Sequence, residues 1–212
     1  MPFITLSGTR REFLQRSASL LSGIVSLNYV DVTKYGVDPD FIALLSDTHI
    51  AADPKTVNLK TNMTDNLIKV RTELLDLPLL PNGTIVTGDC AFQTGAAGDY
   101  AALSNLMAPL AEAGHKLHYL MGNHDNRDNF KAGVKSIQKF APLDGKFVTR
   151  FEVSKAIIVL LDSLNKTNST EGVIGGEQMK WLSEALAMNK NKPTIIMVHH
   201  NPVFGGDVSG AL

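Results

Sequence analysis

Cysteine is almost absent from this chain. Cys90 is the only one among 212 residues, which rules out an internal disulfide and a cysteine-based zinc knuckle. No apolar run approaches the roughly 20 residues a membrane span needs. No block of lysine and arginine offers a nucleic-acid or membrane-surface footprint, and the formal net charge is −1. Internal repeats and low-complexity tracts are missing as well. What remains is ordinary in bulk: 44% apolar and 19% charged residues, in a length that suits one domain with a sizeable core.

The first 30 residues stand apart from the rest. Arg10 and Arg11 precede Phe13-Leu14 and a short small-and-apolar run. This pattern resembles a twin-arginine export leader, which implies a periplasmic or secreted protein. The alternative is an amphipathic helix capped by Thr9 in a cytoplasmic protein. The domain proper is expected over 31–212.

From residue 41 onward, short apolar runs alternate with segments of helical periodicity. Strands are expected at 41–46, 84–87, 116–121 and 194–198, with two adjacent strands in "FVTRFEV" and "AIIVLLD". Helices are expected over 57–76, from about Tyr100 to Gly114, over 128–140 and over 176–188. The alternation implies βαβ units and a largely parallel α/β sheet. Ligands of such sheets bind beyond the carboxyl ends of the strands. Four of the expected strands stop at metal-capable residues: Asp47 and His49, Asp89, Asn123 and His124, and His199 and His200. A nitrogen and oxygen donor set without thiolates suits Mn, Zn, Fe, Co or Ni. It exceeds one tetrahedral site, so a pair of divalent or trivalent ions is expected.

"LLSDTHI", "VTGDC", "LMGNHD" and "MVHHNP" occur in that order, with about 42 and 34 residues separating the first three motif positions. Together they resemble the D-x-H, G-D, G-N-H-[DE] and H-containing motifs of calcineurin-like metallophosphoesterases. "LLDS" and "GEQMKWL" are similar to the family's class III cyclic-nucleotide and glycerophosphodiester phosphodiesterase branch. The resemblance covers residues 41–204 and implies an α-β-β-α sandwich with the metal site at the carboxyl ends of the strands. It also implies hydrolysis of small phosphodiesters or phosphomonoesters by a hydroxide bridging two metals.

The resemblance carries roles to individual positions. Asp47 and His49 would bind the first metal, Asp89 would bridge both, and Asn123 would bind the second. His199 or His200 would join Asn123 there. His124 would protonate the leaving oxygen; Asp125 would orient its ring or else cap the following helix. Gly88 and Gly122 would allow tight turns near the metals. His115, His118, Cys90 and Trp181 read as turn, strand and packing residues, and 165–170 as a polar loop. Thr48 would either touch substrate or fill a slot that simply tolerates small polar residues. Phe92 stands in "GDCAF" where purple acid phosphatases carry a tyrosine ligand, which argues against a redox-distinct iron site. The closing G-H-x-H motif and last strands of the family do not follow "HHNP", so a C-terminally truncated product is expected. That leaves a second reading, a metal- or phosphate-binding protein without turnover.

Overall fold

A computed structural model of the chain describes residues 36–135, 139–141, 143, 145–188 and 191–201. The expected leader and most of the tail after "HHNP" lie outside these residues. In chain order the elements are β1 (Val37–Leu45), α1 (Met63–Leu75), β2 (Leu80–Val86), α2 (Ala97–Glu112), β3 (Leu117–Tyr119), α3 (Arg127–Gly133), β4 (Thr149–Glu152), β5 (Ile157–Leu160), α4 (Gly176–Ala187) and β6 (Thr194–Met197). They form two three-stranded sheets. The first, β1-β2-β3, is parallel throughout. In the second, β4 runs antiparallel to β5 and β5 parallel to β6.

Side-chain alternation along the strands builds the layers. Ile85 and Leu120 of the first sheet meet Ile158 and Leu160 of the second, with Phe151 and Met197 packed against them. Their neighbours Val86, Tyr119 and Met121 point the other way, onto Leu67 of α1, Leu103 and Met107 of α2 and Phe130 of α3. Ile157, Val159 and Leu161 likewise turn outward, onto Leu182 and the partly buried Trp181 of α4. Both faces of each sheet are thereby covered in an α-β-β-α order. This accounts for strands such as "IIVL" that read as continuous apolar runs rather than alternating ones.

Several boundaries differ from the sequence expectation. The helix expected from residue 57 starts at Met63, because Asn62 caps it by accepting from the Asp65 N–H at 3.1 Å. Leu59 and Lys60 just before it take left-handed φ values of 46° and 66°, and Asn58 and Thr61 close a small turn through reciprocal backbone bonds. The helix expected over 128–140 ends at Gly133, where Val134 is extended; residues 136–138 lie outside the described set. Pro81-Asn82-Gly83, expected as punctuation, belongs to β2, where a register shift against β1 admits it.

One polar group sits between the sheets. His118 stacks on Phe151 with ring centroids 3.8 Å apart and planes 7° from parallel, and neither ring nitrogen has a hydrogen-bond partner. Burial, with a smaller contribution from Lys116, lowers its pKa from 6.5 to about 4. The folded protein therefore binds fewer protons than the unfolded chain between about pH 6.5 and 4, and stability falls as pH drops through that window. At 1.36 kcal/mol per pKa unit the loss reaches about 3 kcal/mol. His118→Phe keeps the stack and removes the proton uptake, so its urea midpoint should lie above that of the wild type at pH 4.5 by more than at pH 7.5. Parallel pH profiles for the two proteins would contradict this.

Candidate metal centre

The site occupies the carboxyl ends of four strands drawn from both sheets. β1, β2 and β3 deliver Asp47 with His49, Asp89, and Asn123 with His124; β6 of the second sheet delivers His199. Beyond the strands, the 45–50 and 87–92 segments continue side by side through Thr87 N–H to Leu45 O (2.8 Å), Asp47 N–H to Gly88 O (3.2 Å), His49 N–H to Asp89 O (2.9 Å) and Ile50 N–H to Cys90 O (3.1 Å). This pairing holds Asp47, His49 and Asp89 at φ values of 52°, 40° and 49°. A left-handed non-glycine residue costs on the order of 1–2 kcal/mol. Three such residues within the first two motifs make the strain a feature of the site.

One ligand-type atom from each of Asp47, Asp89 and His199 lies within 4.8 Å of the others. His49 Nε2 is 3.9 Å from Asp47 Oδ1 and 3.7 Å from Asp89 Oδ2. His199 Nε2 is 3.5 Å from Asp89 Oδ1 and 3.2 Å from Asn123 Oδ1. The other nitrogen of His199, Nδ1, lies 2.8 Å from the carbonyl oxygen of Thr87. A carbonyl only accepts, so Nδ1 carries a hydrogen, and in the neutral ring Nε2 would turn its lone pair toward two oxygens. That array repels itself unless a cation stands among the groups, and the backbone-anchored imidazole is a usual support for a metal ligand. The donor set therefore fits a metal ion.

Glycine gives the carboxylate its room. A Cβ on Gly122 would sit 2.1 Å from Asp89 Oδ1 and 2.2 Å from Asp89 N. A Cβ on Gly88, at φ 102°, would meet His199 Nδ1 at 2.5 Å and Gly122 Cα at 2.9 Å. Gly122→Ala should thus force Asp89 aside. We expect a stability loss of about 1–3 kcal/mol together with weakened Mn or Zn binding, read by urea denaturation and calorimetric titration. Unchanged metal affinity would show that Asp89 is free to relax.

Asp125 behaves differently from either sequence expectation. Its carboxylate is fully buried and accepts from the N–H groups of Cys90 (3.1 Å), Ala91 (3.2 Å) and Gly122 (2.9 Å) and from the Tyr100 hydroxyl (2.9 Å). It ties the loops after β2 and β3 together beneath the site. Burial pushes its pKa up, against the pull of those donors. It neither faces the His124 ring nor caps α3; Asn126 does the capping, accepting from Asn129 N–H at 3.0 Å.

His124 is half-buried at the rim. Its backbone N–H donates to Asp89 Oδ1 at 2.8 Å, and its ring lies 5.4 Å from that of His49. His124 Nδ1 meets the Gln93 carbonyl at 2.6 Å and Asn168 Oδ1 at 2.7 Å. His200 turns from the carboxylates to Ser163, whose Oγ is 2.6 Å from His200 Nδ1. Gln93 and Asn168 were not legible as site residues, since neither belongs to a spaced motif, and Ser163 closes "LLDS", which marked the family branch without a site role. Thr48, expected either to touch substrate or to fill a tolerant slot, is buried and donates to Cys90 O at 3.1 Å. Burial raises the Cys90 thiol well above its usual range, followed by the Asp125 and Asp89 charges, so it stays a protonated packing group. A small surface depression adjoins His49, lined by Thr56, Asn58, Met63 and Phe92 among others.

A two-sheet α/β sandwich with carboxylates and imidazoles gathered at four strand ends defines a metal-site domain. More narrowly, residues 42–211 match the calcineurin-like phosphoesterase family, and the chain belongs to it. It is 30% identical over 168 residues to a cAMP/cGMP dual specificity phosphodiesterase of Mycobacterium tuberculosis, covering 78% of this chain and 51% of that protein. It is 25% identical to a 3′,5′-cyclic adenosine monophosphate phosphodiesterase of Vibrio vulnificus, over 76% of this chain and 56% of that one. Identity to a protein of Arcobacter nitrofigilis named "probable glycerophosphodiester phosphodiesterase" is 26%, over 76% and 57% of the two chains. The chain thus spans little more than half the length of these curated relatives. Among the described residues no helix is long and apolar enough to cross a membrane.

Proposed function

We propose that this domain hydrolyses small phosphodiesters at a two-metal centre held by Asp47, His49, Asp89, Asn123 and His199. The observation that carries the reading is the inward Nε2 of His199, its ring held by Thr87 O and directed at Asp89 and Asn123. His49 Nε2 approaches Asp89 Oδ2 and His199 Nε2 approaches Asp89 Oδ1, which suits a shared carboxylate. Bound ions would supply Lewis-acid polarisation of the phosphoryl group and a water of lowered pKa. The chain's own part is placement and proton transfer. Water oxygen bonds to phosphorus and its proton leaves to solvent; the ester P–O bond breaks, and the imidazolium form of His124 gives its Nε2 proton to the departing oxygen, returning to the neutral ring with its hydrogen on Nδ1. The names of the relatives favour cyclic nucleotides or glycerophosphodiesters as substrates.

The test is metal titration of the chelator-stripped chain, followed by turnover of 3′,5′-cAMP, a glycerophosphodiester and an aryl phosphodiester. Two equivalents of Mn or Zn with hydrolysis of at least one ester supports the proposal. Metal or phosphate binding without turnover of any ester would leave a binding protein instead.

A further inference from the structure

We propose that Asn168, on the loop following β5, is a positioning residue for His124. With the Gln93 carbonyl it fixes the imidazole hydrogen on Nδ1, so that Nε2 is the atom presented to the reacting ester. What Nε2 does there rests on the phosphodiesterase reading; the clasp itself does not.

The Gln93 carbonyl, 2.6 Å from Nδ1, can only accept, so Nδ1 must be the donor. An amide nitrogen beside that N–H would set donor against donor. Asn168 therefore offers its oxygen, as found at 2.7 Å. Both clasping residues take left-handed backbone, Gln93 at φ 47° and Asn168 at φ 64°. Asparagine tolerates that region better than most residues.

The loop is sewn to the same motif at two further points. Asn168 N–H donates to Asn123 O at 2.7 Å, and Thr167 Oγ1 donates to Asp125 O at 2.8 Å. The residues on either side of His124 are thus bonded to the segment that holds its ring. Asp125, the side chain expected to orient the imidazole, has its carboxylate committed to Cys90, Ala91, Gly122 and Tyr100. Without Asn168 the half-buried ring would keep one carbonyl partner and regain rotational freedom. Loss of alignment at a reacting group costs up to about a hundredfold in rate.

Three variants test this. Asn168→Gly removes the amide while keeping a residue at ease with positive φ. Asn168→Asp restores an acceptor oxygen. His124→Gln assigns the His124 signals. Long-range ¹H–¹⁵N imidazole spectra of the metal-free chain, recorded above about pH 8 where free imidazole is neutral, should show His124 as the Nδ1–H tautomer. Asn168→Gly should shift it toward a tautomer mixture, and Asn168→Asp should restore it. In the metal-loaded protein, Asn168→Gly should lose about ten- to a hundredfold on phosphodiesters with an alkyl leaving group. It should lose little with p-nitrophenolate, and its metal content should match the wild type. A wild-type His124 protonated on Nε2 overturns the proposal. So does an unchanged tautomer in Asn168→Gly, or a loss independent of the leaving group. If the wild type hydrolyses no ester, the phosphodiesterase reading fails while the tautomer spectra still decide the role of Asn168.

Discussion

Asp89→Asn should bind Mn or Zn at least about a hundredfold more weakly and lose about a thousandfold or more of the phosphodiesterase rate proposed for the chain. The substitution keeps the shape of the side chain and an oxygen that can accept from His124 N–H, as Asp89 Oδ1 does at 2.8 Å. The fold should therefore survive, with an unchanged circular dichroism spectrum. What goes is the charge. Among the described residues, Asp89 is the carboxylate with oxygens within 4 Å of both imidazoles, His49 at 3.7 Å and His199 at 3.5 Å, and it is almost fully buried. A buried anion beside a bound cation acts at low effective dielectric, where Coulomb energies far exceed those in water. Metal chemistry at phosphorus supplies several kcal/mol of transition-state stabilisation, and each 1.36 kcal/mol is a factor of ten. Elemental analysis and turnover of an aryl phosphodiester check both numbers. Two retained metals in Asp89→Asn would remove its shared-ligand role.

Asp162→Ala should cost about 3–5 kcal/mol of stability. Asp162 is fully buried. It accepts from Arg127 Nε and Nη2, both at 2.7 Å, from Phe147 N–H at 2.8 Å and from Leu164 N–H at 3.0 Å. Removing the carboxylate leaves a partly buried guanidinium and two N–H groups unpaired. For a chain of this size each kcal/mol moves the melting temperature by roughly 2–4 °C, so a drop of about 10 °C is expected by calorimetry. The pair also joins the start of α3, just past the metal motif, to the base of the loop that carries Asn168. Asp162→Ala should accordingly lose the His124 tautomer preference along with stability. A double variant that also replaces Arg127 with Met should recover part of the stability, because no unpaired charge remains. If the single variant melted within 2 °C of wild type, the network would be ornamental.

The metal cluster was largely legible because its chemistry sits at strand ends. Asp47, Asp89 and Asn123 each follow a run of apolar residues, and parallel strands in one sheet bring their carboxyl ends to one rim. His199 was legible as a candidate for the same reason. Its preference over His200 was not, since adjacent residues point to opposite sides of an extended chain and only the packing of the second sheet sets which side faces the first. Asp125 was misread because "NHD" invites a local histidine–carboxylate pair. The backbone instead buries the carboxylate under two loops, where four donors compete for it more effectively than a half-buried ring.

Sequence by itself determined the alternation of strands and helices, the absence of thiolate chemistry, the family resemblance and the oxygen and nitrogen donors of the centre. These follow from local periodicity, composition and ordered motifs, all of which the linear chain carries. Tertiary structure alone decided that β6 crosses to a second sheet to meet the first, that Asp125 is a strut, that Asn168 and Gln93 hold His124, and that Gly122 leaves room for Asp89. Each depends on atoms far apart in sequence arriving within about 3 Å of one another. At that range the outcome is set by packing and by hydrogen-bond satisfaction of buried groups, and neither has a signature in residue spacing.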